Sequence, residues 1–566
     1  MLNIRKKTID GWNWIKSHTH ECVIGFWKWL KKRMDSSRSF TLIIAVIAGL
    51  VVYYFPKIVA YYRCYTKPFI TFESDYTQVF RISMEIDSIE YSVGESKWKK
   101  LGTQNIVFGG NRGKLLLRGK SSIGTGGATI SFASNAEVIC SGDIRTLIDY
   151  EQYDKVSTFG ARFMSLFQNC KQLVVAPELP AKDLAGGCYQ NMFSGCISLK
   201  TAPKLPAENV DEWCYQGMFS GCTSLEYPPE LPAKNLAGWC YYRMFSDCVS
   251  LKEAPKLPAE NLDFMCYTEM FSGCASLKEA PWLPAKDLAV NCYLGMFSGC
   301  TSLKEAPWLP ACNLALNCYS GMFSGCTSLI EGPELPAKNL AKSCYQDMFS
   351  GCTSLKIAPE LPVENLADDC YSGMFFGCIS LEEAPLLLPA KILASSCYSN
   401  MFSGCIMLEK APELLAENLA VACCSSMFSG CTSLKYPPEL LARNLAIDCY
   451  SGMFSDCISL KEAPVLPAEN LADGCYSHMF SGCTSLQKAP MLPAENLEFM
   501  CYSGMFSGCT SISSITIGAT KIDEVYFLED WLDGTSKSGT IFKNKKAKWS
   551  NGGIVPQGWT VKLIDP

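Results

Sequence analysis

The 566-residue sequence predicts an α/β solenoid of tandem 26-residue units, each a helix plus a short strand, preceded by a transmembrane helix and a small all-β module. Three observations carry this expectation. Met-Phe recurs at a fixed interval through most of the chain, an uncharged apolar run lies near the N-terminus, and short β-rich runs punctuated by glycine lie between the two.

Composition narrows the functional classes first. Hydrophobic residues make up 48% and charged residues 19%, a balance that forms a core rather than a disordered chain. The net charge of −5 argues against nucleic-acid binding. The only histidines are His18, His20 and His478, so a Ser-His-Asp triad, a His-rich zinc site or a haem site is hard to build. No catalytic group, metal or cofactor is expected, and the chain does not read as an enzyme.

Residues 1–39 hold nine Lys/Arg against three Asp/Glu, and Trp12, Trp14, Phe26, Trp27 and Trp29 interleave with the lysines. Such a segment either rests on the cytoplasmic membrane surface or is a solvated tail. Residues 40–62 carry a single charge over 23 positions, near the ~20 that span a bilayer. Lys28, Lys31, Lys32, Arg33 and Arg38 precede the run, so the positive-inside rule puts the N-terminus in the cytoplasm and the rest of the chain outside it. A cleaved signal peptide competes, but it normally has a short basic region and a small-residue cleavage site.

Residues 68–150 contain FITF, IEYSV, NIVF, KLLLRG, ATISF and EVICSG, spaced as in a β-sandwich or barrel. From Phe163, within a segment spanning 151–512, the chain is periodic. Met-Phe stands at 192, 218, 244, 270, 296, 322, 348 and 374, then at 401 after one inserted Leu, then at 427, 453, 479 and 505. With a degenerate first copy this makes 13–14 units. In the unit 222–247, Asn235 is a candidate N-cap, and Leu236, Ala237, Cys240, Tyr241, Met244 and Phe245 form one apolar helical face. The preceding half is short and extended, because Pro229 and Pro232 forbid a long strand or helix. One such unit cannot bury both faces; stacked units can. Residues 513–566 then cap the last unit.

The 32 cysteines follow the same period. Thirteen precede Tyr or its replacement Cys424, among them Cys188, Cys214 and Cys240; fourteen follow the Ser-Gly position, among them Cys196, Cys222 and Cys248. Zinc-type spacing is absent. A helical separation of eight residues puts the two columns about 12 Å apart, too far for a disulfide. Columns of buried thiols are therefore favoured, while an extracytoplasmic location keeps disulfides open.

Variable positions indicate where a ligand could act. Trp282 and Trp308 interrupt a charged column before the Leu-Pro pair, and Trp213, Trp239 and Met265 cluster in the helical half. Exposed aromatics anchor interfaces; lateral packing between units is the competing role. The residue after Pro-Ala alternates as Lys182, Glu208, Lys234, Glu260 and Lys286, then fades after Cys312, a pattern suited to stack register and solubility.

The motif MFSGCTSL at 322–329, followed by Leu-Pro and the next Met-Phe, resembles BspA-like (treponemal-type) leucine-rich repeats over about 163–512. It departs from them in having Met before Phe, where Ala is usual, and in its 26-residue unit. IEYSV with Trp98 and KLLLRG resembles the N-terminal β module of such bacterial surface proteins, and GTIFKNKKAKW with VPQGWTV resembles their closing segment. The resemblance implies a cell-envelope protein that binds host matrix, host receptors or other bacteria, and it implies no catalytic residues. The expected function is adhesion or protein–protein interaction outside the cytoplasm, in the periplasm or at the cell surface, with residues 40–62 in the membrane. A structural spacer of the envelope is the alternative.

Overall fold

A computed structural model describes residues 67–94, 96–160, 162–522, 525–549 and 554–564. The basic segment 1–39 and the apolar run 40–62 lie outside the described residues. Residues 68–566 form one compact unit, and no helix among the described residues is long and apolar enough to cross a membrane.

Eight short strands build the first part: β1 (Ile70–Glu73), β2 (Gln78–Ile82), β3 (Ile89–Val93), β4 (Lys99–Lys100), β5 (Ile106–Phe108), β6 (Leu115–Gly119), β7 (Ile130–Phe132) and β8 (Val138–Ser141). One sheet runs β4-β3-β6-β1-β8 and a second runs β5-β2-β7. Alternation sets the inward faces: Ile70 and Phe72, like Leu115 and Leu117, are buried while their neighbours are half-exposed. Phe72 of the first sheet packs on Phe80 and Phe132 of the second at 5.5 and 5.7 Å. The first sheet does not stop at β8. Leu173–Val175, from the first repeat unit, joins it as β9 in parallel, Val138 opposite Leu173, and Phe72 reaches Phe167 at 6.2 Å. One hydrophobic core therefore runs from the β sheets into the repeats.

The repeat units differ from the expected helix-plus-strand unit in one central respect. No α-helix occurs among the described residues, and the expected helix over 236–245 is replaced by overlapping four-residue turns. In an α-helix every N–H bonds four residues back. Here alternate N–H groups do something else. Cys214, Gln216, Met218 and Ser220 donate three residues back, whereas Tyr215, Gly217, Phe219 and Gly221 donate to Cys240, Tyr242, Met244 and Ser246 of the next coil at 2.8–3.0 Å. Left-handed residues at every fourth position produce this path: Trp213, Gly217 and Gly221 have φ of 58°, 58° and 72°. An α-helix cannot contain such residues in series. The turns keep two neighbouring residues in and two out, so Cys240-Tyr241 and Met244-Phe245 are buried all the same.

Asn235 is correspondingly not an N-cap. It forms a parallel bridge with Asn261, and the Asn261 side-chain amide donates to Asn235 Oδ1 at 2.9 Å. The same ladder joins Asn470 to Asn444 at 2.7 Å. On the extended segment the prolines confine pairing to isolated bridges such as Glu279–Glu305–Glu331.

Inside, identical rings stack from coil to coil. The Phe column steps at 5.6 Å between Phe193 and Phe219 and stays within a few tenths of that elsewhere. The inserted Leu leaves it intact: Phe375 and Phe402 are 5.4 Å apart, and the extra residue is taken up where Leu387–Leu388 pairs in parallel with Glu413–Leu414. After the last Met-Phe the pattern continues in disguise. Tyr502, Gly504, Phe506 and Gly508 donate to Phe527, Glu529, Trp531 and Asp533. Strands Met491–Leu492, Ser514–Ile517, Gly539–Asn544 and Trp559–Ile564 form one parallel sheet. Trp531 is buried there, its Nε1 donating to the Ile554 carbonyl at 2.9 Å.

Candidate functional site

The candidate surface is built of columns, because each repeat position recurs one coil away. On the extended segment, Trp282 and Trp308 turn outward beside Pro281 and Pro307 and are 62% and 57% exposed. Pro307, the residue before Trp308, lines a groove of about 530 Å³ together with Lys278, Lys304, Glu279, Glu305, Ser302 and Ser328. An equivalent groove of about 590 Å³ lies farther along, where Lys435, Lys461, Glu462, Ser459 and Ser485 surround the exposed Tyr436. The turn segment carries the other two tryptophans. Trp213 is 42% exposed and Trp239 is half-buried, with Tyr242 and Phe264 edge-on to its ring at 5.1 and 6.1 Å. The four tryptophans thus fall into two pairs, on the extended segment and on the turn segment of the coil.

Both thiol columns lie inside. Cys188, Cys214, Cys240, Cys196, Cys222 and Cys248 are all fully buried, and none of the 30 described cysteines is in a disulfide. Cys196, Cys222 and Cys248 donate S–H to the carbonyls of Phe167, Phe193 and Phe219 at 3.0–3.1 Å. Cys214 reaches the Ala185 carbonyl at 3.2 Å. Burial pushes the thiols of Cys188, Cys214 and Cys222 up to about 12 and raises Cys196, Cys240 and Cys248 as well. Thiolate is the nucleophile and metal ligand, so these groups are held in their unreactive form. Cys312 alone among the described cysteines is exposed. No group of three or more His, Cys, Asp or Glu among the described residues is placed to hold a metal ion.

The charge alternation does not fade after Cys312. It resumes with Lys338, Glu364, Lys391, Glu417 and Arg443, and Lys391 pairs with Glu417 across one coil at 3.6 Å. Phe264, Val290 and Leu316 were not singled out from the sequence, yet they are exposed on the turn segment beside the Trp213–Trp239 pair. They share one repeat column, which is polar or Gly in about half of the units and apolar and exposed again at Val421, Ile447 and Phe499, so its mixed character hides it in the sequence.

Residues 293–409 and 399–530 match the BspA type leucine-rich repeat region, in six copies. Among solved structures, the chain resembles a leucine-rich repeat protein from Eubacterium ventriosum at 13% identity and a TM-score of 0.31, over 65% of this chain and 93% of that one. No curated protein matches the chain. Residues 293–530 therefore carry BspA-type leucine-rich repeats, and the same Met-Phe period runs from 192 to 505.

Proposed function

We propose that this chain is a membrane-anchored, extracytoplasmic solenoid that mediates adhesion or protein–protein interaction, with residues 40–62 in the membrane. Leucine-rich repeats serve protein binding in general. Here the supporting observation is the exposed pair Trp282 and Trp308, two large apolar side chains facing solvent in adjacent coils beside a polar groove. Burying a Trp pair against a partner removes a large apolar area from water, and tryptophan is enriched among residues that dominate interfaces. The coil-to-coil backbone bonds hold this surface in fixed register whether or not a partner is present, which lowers the ordering cost of binding.

Two measurements test the reading. Protease treatment of intact cells, followed with a probe for the repeats, should cleave them; protection would remove surface display. Binding of the full chain to immobilised extracellular-matrix proteins should fall in Trp282→Ala/Trp308→Ala at unchanged melting temperature. Unchanged binding with lowered stability would instead assign both rings to packing between coils.

A further inference from the structure

The turn segment carries a bounded apolar stripe over five successive coils. Trp213 donates its N–H to the Gly238 carbonyl, Trp239 to Phe264, Met265 to Val290 and Asn291 to Leu316, at 3.0–3.3 Å. Each step of the stripe is thus one hydrogen-bonded rung. Trp213, Phe264, Val290 and Leu316 are each about two-fifths exposed. Phe264 is held down by design of the neighbouring coil: a Cβ at Gly238 would sit 2.6 Å from its ring. The stripe ends where Gly186 precedes it and Lys342 and Asp368 follow it. Four steps at the 5.7 Å spacing of the Tyr rings make it about 23 Å long, the length of a helix of roughly 15 residues.

Over the coils from Trp213 to Phe264 the border of this stripe is acidic. Asp211, Glu212 and Asp263 adjoin it, and none makes an ion pair among the described residues. Arg243 beside them is already engaged by Glu269 at 2.8 Å. An apolar strip of this length with unpaired carboxylates along its Trp213–Phe264 end matches one chemistry, a segment with an apolar face flanked at one end by Lys or Arg. The same carboxylates would repel an anionic bilayer.

We propose that the stripe from Trp213 to Leu316 docks a basic amphipathic peptide segment of a partner protein, a proposal that rests on the interaction reading above. The probe is a labelled 18-residue peptide with leucine on one helical face and lysine on the other, titrated into the full chain by fluorescence anisotropy. A counterpart with glutamate for lysine serves as control. The lysine peptide should bind at least tenfold tighter than the glutamate peptide. Asp211→Asn/Glu212→Gln/Asp263→Asn keeps the local backbone bonds and should weaken binding at least tenfold. Phe264→Ser/Leu316→Ser should abolish it. Trp282→Ala/Trp308→Ala should leave it unchanged, and melting curves confirm that each variant is folded. No binding of the lysine peptide, equal binding of both peptides, or full binding by the charge variant would overturn the proposal. Binding lost in Trp282→Ala/Trp308→Ala but kept in both stripe variants would also overturn it, while leaving the chain's general role in protein binding intact.

Discussion

The Cys222 thiol donates to the Phe193 carbonyl oxygen of the preceding coil at 3.1 Å. That oxygen already accepts the Cys196 N–H at 3.0 Å, so one buried carbonyl joins the turn of its own coil to the side chain of the next. The same thiol-to-Phe contact recurs in thirteen coils. This gives the repeated cysteine a structural reason: a small side chain that fills the core and still carries a proton to donate. Cys222→Ala should cost about 1–2 kcal/mol, from a lost hydrogen bond and a small void. Cys312→Ala, at an exposed thiol, should cost nothing measurable. Urea unfolding of both variants checks the contrast, and equal stabilities would show that the thiol bond contributes little.

Gly221 isolates the cost of the left-handed turn. Its φ is 72°, yet a Cβ there would meet only Gly195 backbone at 3.7 Å, an ordinary contact. Substitution therefore tests conformation and not space. Gly221→Ala should destabilise by about 1 kcal/mol, Gly221→Val by more, and Gly221→Asn by least, since Asn tolerates this region and Asp247 already occupies it one coil on at 61°. Thermal melting of the three variants should rank them in that order. A Val variant as stable as wild type would mean that the coil reaches its neighbour without left-handed residues.

Cys424 breaks the Tyr column. Rings stack at 6.0 Å from Tyr371 to Tyr398 and at 5.9 Å from Tyr450 to Tyr476, with the fully buried Cys424 between the two runs. A thiol fills far less than a phenol ring. Cys424→Tyr should restore the stack and raise stability by about 1–2 kcal/mol, the scale of burying part of an aromatic side chain. A lower melting temperature would show that the surrounding coils have closed over the position and that the ring overpacks it.

Much of this architecture was legible in the amino-acid order, and one element was not. The pairs Cys240-Tyr241 and Met244-Phe245 point inward as their spacing indicates, and the period marks every Met-Phe coil. What the spacing does not separate is a 3.6-residue helix from a four-residue turn, because over ten residues both put the same pairs on one face. The discriminating signal is the outward column: Asn191, Gly195, Gly217, Gly221 and Asp247 are residues that enter the left-handed region, and they recur every fourth position. The Trp282–Trp308 pair stands out by size alone. Phe264, Val290 and Leu316 do not: they keep the 26-residue step in a column of mixed character, and the rungs between coils bring that column beside Trp213 and Trp239. The coil built on Leu528, Trp531 and Leu532 was hidden for a related reason: it keeps the hydrogen bonds of a repeat and the left-handed glycine, Gly534, but neither the Cys nor the Met-Phe of the signature.

The thiol columns also set a pH limit on the fold. Burial holds Cys222, Cys352 and Cys431 at about 12, against an ordinary value near 9. Between those values the unfolded chain releases thiol protons that the native chain keeps, so it binds fewer protons and is favoured as pH rises. The stabilisation from the neutral thiols is therefore complete below about pH 9 and is lost progressively as pH rises toward 12. Each such thiol contributes a slope of roughly 1.4 kcal/mol per pH unit in that window, and the columns add their slopes. Buried tyrosines such as Tyr267, raised for the same reason, steepen the loss above about 10. Urea midpoints should be flat up to pH 9 and then drop sharply, with thiolate absorbance near 240 nm appearing together with loss of the far-ultraviolet dichroism. If thiolate absorbance instead rose near pH 9 while the dichroism stayed native, the thiols would be open to solvent in the folded chain.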